Sequence, residues 1–261
     1  MQIAIKLAAG AVLLAGMHAA AVPLQNGTFG TGDLTGWTVT GNAMVDNALS
    51  YEHTSPPLPP DPLSPPNSFQ AFIANGGQLI SFPFPVGSGS AVSAETLDNS
   101  LGLVAGALNV LKQPGDAGNV VFGSAIQQTF TGNAGQTVNF SFDFMTAGAN
   151  LRLGNDFAFV MLDGTPHRLA NTFSLLFPTD SASDFFRETR FQRASLTLVS
   201  SGPHTLAFGV VTVAQPNDTL GGSAVWIDNI VVRGVPEPSS VAVLLAGLVG
   251  VSVLIRTRVG H

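Results

Sequence analysis

Residues 137–145 read Thr-Val-Asn-Phe-Ser-Phe-Asp-Phe-Met, an unbroken alternation of polar and apolar side chains. A period of two puts Val138, Phe140, Phe142 and Phe144 on one side of an extended strand and Thr137, Asn139, Ser141 and Asp143 on the other. A helix of 3.6 residues per turn would scatter the same four apolar groups around its circumference. The stretch therefore reads as a half-buried strand, with its apolar face inward and its polar face in water. One greasy face needs a second layer to cover it, which commits the domain to stacked sheets.

The rest of residues 22–234 agrees. Short runs rich in Val, Phe and Thr are punctuated by Gly, Asn, Asp and Pro, the texture of an all-β sandwich. Residues 124–130, 156–162, 191–199, 204–213 and 223–232 are further predicted strands. Turns are expected at 132–136, at Asp163-Gly164 and at 200–203. Phe29, Leu34 and Trp37 look like core anchors near the start. Residues 54–66 are proline-rich, cannot pair within a sheet and read as an extended loop, with structure resuming at 68–74. Residues 101–111 fit either a helix or a strand hairpin, because a short apolar run satisfies both periods. No repeat of fixed period is visible, so a propeller or solenoid finds no support.

Both ends of the 261-residue chain have a different texture. Residues 1–21 carry Lys6, an apolar stretch over 7–17 and Ala19-Ala20-Ala21, the build of a secretory signal cleaved after Ala21. At the other end, Pro236-Glu237-Pro238 is stiff and lacks two backbone donors. An apolar run over 241–255 follows, then Arg256 and Arg258. Fifteen or so residues make a helix of roughly 22 Å, short against a hydrocarbon core of about 30 Å. The two arginines would hold that end on the cytoplasmic side and leave everything before 241 outside. Three parts follow: signal peptide 1–21, sandwich domain 22–234 and tail 235–261. The positive mean hydropathy of 0.34 is inflated by the two ends.

There is no cysteine, which excludes thiolate zinc, iron–sulfur and cysteine-nucleophile chemistry. Net charge is −6, and Lys6, Arg256 and Arg258 lie outside the domain, leaving Lys112 as its single lysine. Such a surface argues against a nucleic-acid partner. His53, His167 and His204 are isolated from other ligand-type residues, and His204 reads as a rim residue at the start of a strand. No nucleophile elbow, zinc-binding helix or phosphate loop occurs. Asp143, Asp156 and Asp163 could form a glycosidase pair. One Tyr and two Trp make a poor sugar platform, however, so these aspartates read as solvated strand residues and the protein as a non-enzyme.

The tail Pro236-Glu237-Pro238, apolar run and Arg256/Arg258 resembles the PEP-CTERM sorting signal of Gram-negative bacteria that make exopolysaccharide. That resemblance implies an exosortase as partner, passage through the inner membrane with the C-terminal helix as a transient hold, and delivery to the cell surface or extracellular matrix. A second resemblance covers the domain. Asn26-Gly27-Thr28-Phe29 with Gly36-Trp37 at the start, and Trp226-Ile227-Asp228-Asn229 in the last strand, are similar to the opening and closing of galactose-binding-like jelly rolls. Carbohydrate-binding modules belong to that group.

Jelly rolls of that kind often hold a structural Ca²⁺ where first and last strands meet. Thr28 and Gly30 stand where the family has acidic groups. Asn26, Asp33 and Asp228 are the candidates left, and weak or absent binding is expected. For a glycan, Tyr51 and His53 beside the proline loop are the candidate contacts, while Trp37 and Trp226 read as packing aromatics. The expectation is a structural or adhesive surface or matrix protein without a cofactor, with a glycan-specific carbohydrate-binding module second and a matrix hydrolase a distant third.

Overall fold

A computed structural model of the protein describes residues 22–47, 69–75, 90–113, 116, 118–147, 155–174, 176–178, 185, 187–214 and 222–234. In chain order the first strands are β1 (Thr38–Thr40), β2 (Asn42–Asn47), β3 (Phe69–Ala74) and β4 (Val92–Ser93). Helix α1 (Ala94–Ser100) and a 3-10 turn (Ala107–Leu111) follow. Next come β5 (Val120–Gly132), β6 (Thr137–Thr146), β7 (Phe157–Leu162) and β8 (Thr165–Asn171). The chain closes with β9 (Phe177–Pro178), β10 (Arg187–Glu188), β11 (Gln192–Thr197), β12 (Gly202–Val213) and β13 (Ser223–Arg233).

These strands form two antiparallel sheets. One has the order β1-β5-β12-β7-β8, with β4 sharing the β5 edge beside β1. The other runs β2-β3-β13-β6-β10-β9, with β11 continuing the β6 edge. The chain changes sheet from β1 to β2, β3 to β4, β5 to β6, β6 to β7, β8 to β9, β11 to β12 and β12 to β13, which is how a jelly roll is wound. The fold is thus the expected all-β jelly-roll sandwich. β7 and β8 are joined by Asp163 (φ 51) and Gly164 (φ 75), the two positive-φ residues of the hairpin turn that an Asp-Gly pair favours.

The layer between the sheets follows from the alternation. Val138, Phe140, Phe142 and Phe144 of β6 meet Ile126 and Phe130 of β5, Leu206, Phe208 and Val210 of β12, and Val225 and Ile227 of β13. Phe140 and Phe208 pack edge to face at 4.8 Å. Burying each such side chain contributes about 1.5–3 kcal/mol.

The two outer faces are also covered. Over the first sheet, α1 and the 3-10 turn set Leu97, Leu101 and Leu108 on Phe157, Phe159, Met161 and Val211. Residues 101–111, open between helix and hairpin, are no hairpin: α1 ends just before them and a short 3-10 helix takes their second half. Its start is held by Asp98 of α1, which accepts from the Gly106 N–H at 2.7 Å. Over the second sheet, Trp226, Met145, Ala74 and Ala224 pack with Phe185, Phe72 and Phe191.

That last cluster corrects one expectation. On β6 the polar side was to face water, yet Ser141 and Asp143 are buried like the phenylalanines behind them. Alternation separates the two faces of a strand; it does not report that a second apolar cluster lies over the polar one.

Candidate functional site

The opening segment is pinned to the last strand. Asn26 (φ 47) donates through Nδ2 to the carbonyls of Asp33 at 2.9 Å and Thr35 at 3.2 Å, while its Oδ1 accepts from Thr31 N–H at 3.4 Å. Asp33 Oδ1 accepts from Thr31 Oγ1 at 2.7 Å and Thr35 N–H at 3.0 Å. The Thr31 hydroxyl first, then the Thr35 donors, hold the Asp33 carboxyl below the usual carboxylate range. Ile230 N–H donates to Gly27 carbonyl at 2.8 Å, and a β-carbon on Gly27 would lie 2.1 Å from Ile230 O. Only glycine permits that approach. Trp37 closes the loop, with its ring 5.8 Å from Phe29 and Nε1 donating to Asn26 carbonyl at 3.4 Å.

Asp228 sits where the β13–β6 register slips between Asp228 and Val231, beside Asn229 at φ 56. It is buried, and both carboxylate oxygens accept from Asn229, from N–H at 2.6 Å and from Nδ2 at 3.2 Å. Burial pushes its carboxyl up to about 6, only partly opposed by the Asn229 backbone bond.

These three residues do not make a cation cage. Asn26 and Asp33 are brought together, but their polar atoms knit the loop to itself. Asp228 is a desolvated carboxyl engaged by its neighbour. A Ca²⁺ ion wants six to eight oxygens, several of them ionised. Among the described residues no three His, Asp or Glu side chains group to hold a metal. The donor set does not fit the ion.

The three candidate catalytic aspartates lie apart. Asp143, on the outer face of the second sheet, accepts from Thr189 Oγ1 at 3.1 Å. Asp156 is buried at one end of the sandwich, where Asn75 Nδ2 and Ser223 Oγ each donate to Oδ2 at 2.9 Å. Asp163 stands at the far end of β7, seven residues or roughly 23 Å away. There it faces His204 Nδ1 at 2.7 Å and accepts from Thr205 N–H at 2.9 Å. Neither Asp143 nor Asp156 is the solvated group expected from the sequence. His204 is not a rim residue either: it is buried against Phe130, with ring centroids 5.7 Å apart, and its Nε2 faces Ser200 carbonyl at 3.2 Å. The positions Tyr51, His53, Pro236, Glu237, Pro238, Arg256 and Arg258 lie outside the described residues. So does the apolar run 241–255; among the described residues no helix is long and apolar enough to cross a membrane.

What the structure adds is an open polar surface. On the outer face of the second sheet, Arg193 of β11 pairs in register with Ser141, Ser195 with Asn139, and Thr197 with Thr137. On the other side of β6, Asp228 pairs with Ser141, Val231 with Asn139 and Arg233 with Thr137. Directly paired residues share a face. Arg193, Ser195, Thr197 and Arg233 are exposed, and Thr137 and Asn139 half-exposed. The alternation of residues 192–197, with Arg, Ser and Thr in phase, carried that signal; which strands stand beside them did not appear in the sequence.

No family model matches the chain, and no curated protein matches it in sequence. Among solved structures it is similar to TmCBM61 solved with β-1,4-galactotriose, at 11% identity and a TM-score of 0.36, over 81% of this chain and 97% of that one. It is also similar to a cleaved adhesin domain of Lys-gingipain from Porphyromonas gingivalis, at 8% identity and 0.37, over 80% and 96%. CBM35 from Paenibacillus barcinonensis reaches 24% identity with a TM-score of 0.21, over 47% and 84%. Values this low carry no residue or activity across; the fold assignment rests on the two sheets themselves.

Proposed function

We propose that this is an exported, non-enzymatic protein with a structural or adhesive role at the cell surface or in an exopolysaccharide matrix. The observation behind the reading is the state of its carboxylates. Asp143, Asp156 and Asp228 are buried and hydrogen-bonded, and Asp163 is held by a histidine and a backbone amide. An acid–base pair needs two carboxyl groups facing one cleft, at about 5–9.5 Å. A stiff sandwich with three apolar layers instead presents a fixed surface to a partner. A discrete carbohydrate-binding module is the second reading, favoured by the polar, uncovered face over β13, β6 and β11.

Delivery is assigned to the two ends: export by residues 1–21, and sorting through Pro236-Glu237-Pro238 with the apolar run and Arg256/Arg258, handled by an exosortase. Mass spectrometry of the surface protein should find a start near Val22 and no peptide beyond about Ser240. Recovery of residues 241–258 from mature protein would overturn the sorting assignment. For the role itself, a strain lacking the protein should lose matrix cohesion or attachment, and the purified protein should release no sugar from polysaccharide. Hydrolysis abolished by Asp143→Ala would overturn the non-enzymatic reading.

A further inference from the structure

Resting on that reading, we infer that the open face over β13, β6 and β11 binds a polysaccharide bearing carboxylate groups, with Arg193 and Arg233 as its anion contacts. The two arginines occupy opposite corners of the patch. Two strand spacings of about 4.8 Å and four residues of about 3.3 Å place their Cα atoms roughly 16 Å apart. Thr137, Asn139, Ser195 and Thr197 fill the floor between them. Asn139 Nδ2 is turned onto Thr137, at 3.0 Å from Oγ1, which leaves the Asn139 carbonyl oxygen and the hydroxyls of Ser195 and Thr197 as groups for a ligand.

Charge selects the ligand. Among the described residues neither Arg193 nor Arg233 has a hydrogen-bonding or ionic partner. Other cations of the domain are engaged internally: Arg168 Nη1 donates to Leu111 carbonyl at 2.7 Å and Lys112 Nζ to Asn119 Oδ1 at 3.0 Å. No carboxylate of the described strands lies on the open patch; the nearest in register, Asp228, is buried at its border. Two guanidinium groups that no described residue engages, on a patch to which the described strands bring no exposed carboxylate, are a local reversal of sign in a chain of net charge −6. Arginine recognises carboxylates through paired donors in one plane.

Spacing separates the polyanions. Duplex nucleic acid carries a charge about every 1.7 Å of axis and is bound by dense basic stripes. Two arginines roughly 16 Å apart, with hydroxyls and an amide between them, match carboxylates spaced along a chain of hydroxyl-bearing sugars. With no aromatic ring among the described residues of the patch, affinity rests on charge and hydrogen bonds, so it should be modest and salt-sensitive.

The test uses the full exported protein and polygalacturonate, the same polymer with its carboxyls reduced, neutral galactan, anionic phosphatidylglycerol vesicles and a duplex oligonucleotide. Polygalacturonate should be retained at low salt, and retention should fall severalfold at 0.5 M salt and on carboxyl reduction. The double variant Arg193→Gln/Arg233→Gln should weaken it roughly tenfold or more, while its melting temperature stays that of the parent. Equal binding of galactan and polygalacturonate, or binding indifferent to both substitutions, overturns the acidic-glycan inference and leaves the adhesive reading standing. Retention of vesicles or duplex in preference to polygalacturonate overturns it as well. Loss of matrix attachment in the deletion strain judges the adhesive role separately, so the two fail by different readouts.

Discussion

The outer face of the second sheet is two surfaces on one set of strands. Toward β3 and the end of β6, Gln70, Trp226, Asp143, Met145 and Glu188 are buried under an aromatic cluster. Toward β11 and the start of β6, Asn139, Ser195, Thr197, Arg193 and Arg233 are open or partly open. Both halves obey the same period of two, and both carry polar residues in the outward phase. What differs is the cover: Phe185, Phe191 and Phe72 meet Trp226 in the first half, while the described residues place no such cluster over the second. A buried polar group there must find a partner or lose stability, whereas an open one keeps its water. Position on a strand is a local property; burial of its outer side is set by distant chain.

The largest effect that can break this comparison lies beneath both halves. Phe142 of the central layer is buried among the apolar side chains of both sheets. Truncating it to Ala should cost about 3–5 kcal/mol, read by denaturant unfolding. A loss under about 1 kcal/mol would mean the strand's apolar face is not the inner one.

Next is the contrast between the halves themselves. Asp143→Ala removes the acceptor of Thr189 Oγ1, which in turn accepts from Phe144 N–H at 2.9 Å. That should cost about 1–3 kcal/mol. Asn139→Ala, two pairs along on the same face, should stay within about 0.5 kcal/mol. Equal small losses at the two positions would erase the division.

Asp228, on the border, sharpens it through pH. Burial raises its folded-state carboxyl to about 6, above the ordinary aspartate value of 3.8. The folded state therefore binds the proton more tightly than the unfolded chain. The contribution to stability is complete below about 4 and lost as pH rises through about 6. Asp228→Asn keeps an acceptor for Asn229 N–H without the charge. It should match the parent near pH 4 and melt at higher temperature near pH 7. A melting difference that stays constant across pH 4–7 would mean the carboxyl is not desolvated.

Much of this architecture is legible in the sequence, because strands with a sharp period declare their faces locally. The strand at 137–145, the Asp163-Gly164 turn and the packing roles of Trp37 and Trp226 all come from nearest-neighbour chemistry. The failures share one cause. Ser141, Asp143 and His204 read as exposed because each is polar in a strand, yet all three are buried, Asp143 bonded to the distant Thr189 and His204 packed on the distant Phe130. For the Asn26/Asp33/Asp228 group, weak or absent calcium binding is the expectation from the sequence, and the hydrogen bonds that occupy these side chains agree with it without testing it. A resemblance places types at positions, while the hydrogen bonds of the opening loop decide where the oxygens point. Of the open patch only the alternation of residues 192–197 is legible, since Arg193 and Arg233 are forty residues apart and meet only through β6.

The smallest expected effect is also the one that separates the two halves most cleanly. Arg193→Gln and Arg233→Gln, singly or together, should leave unfolding free energy within about 0.5 kcal/mol of the parent. Both side chains are exposed and bond to no described residue, so neither substitution strands a buried partner. Glutamine keeps part of the aliphatic stem and removes the charge. Two like charges roughly 16 Å apart on a wet surface lie beyond the Debye length of about 8 Å at physiological salt, so relieving their repulsion adds little. A double variant that loses more than about 1 kcal/mol would show these arginines to be tied into the fold, as buried ones are, and the second sheet would then have no open half to offer a ligand.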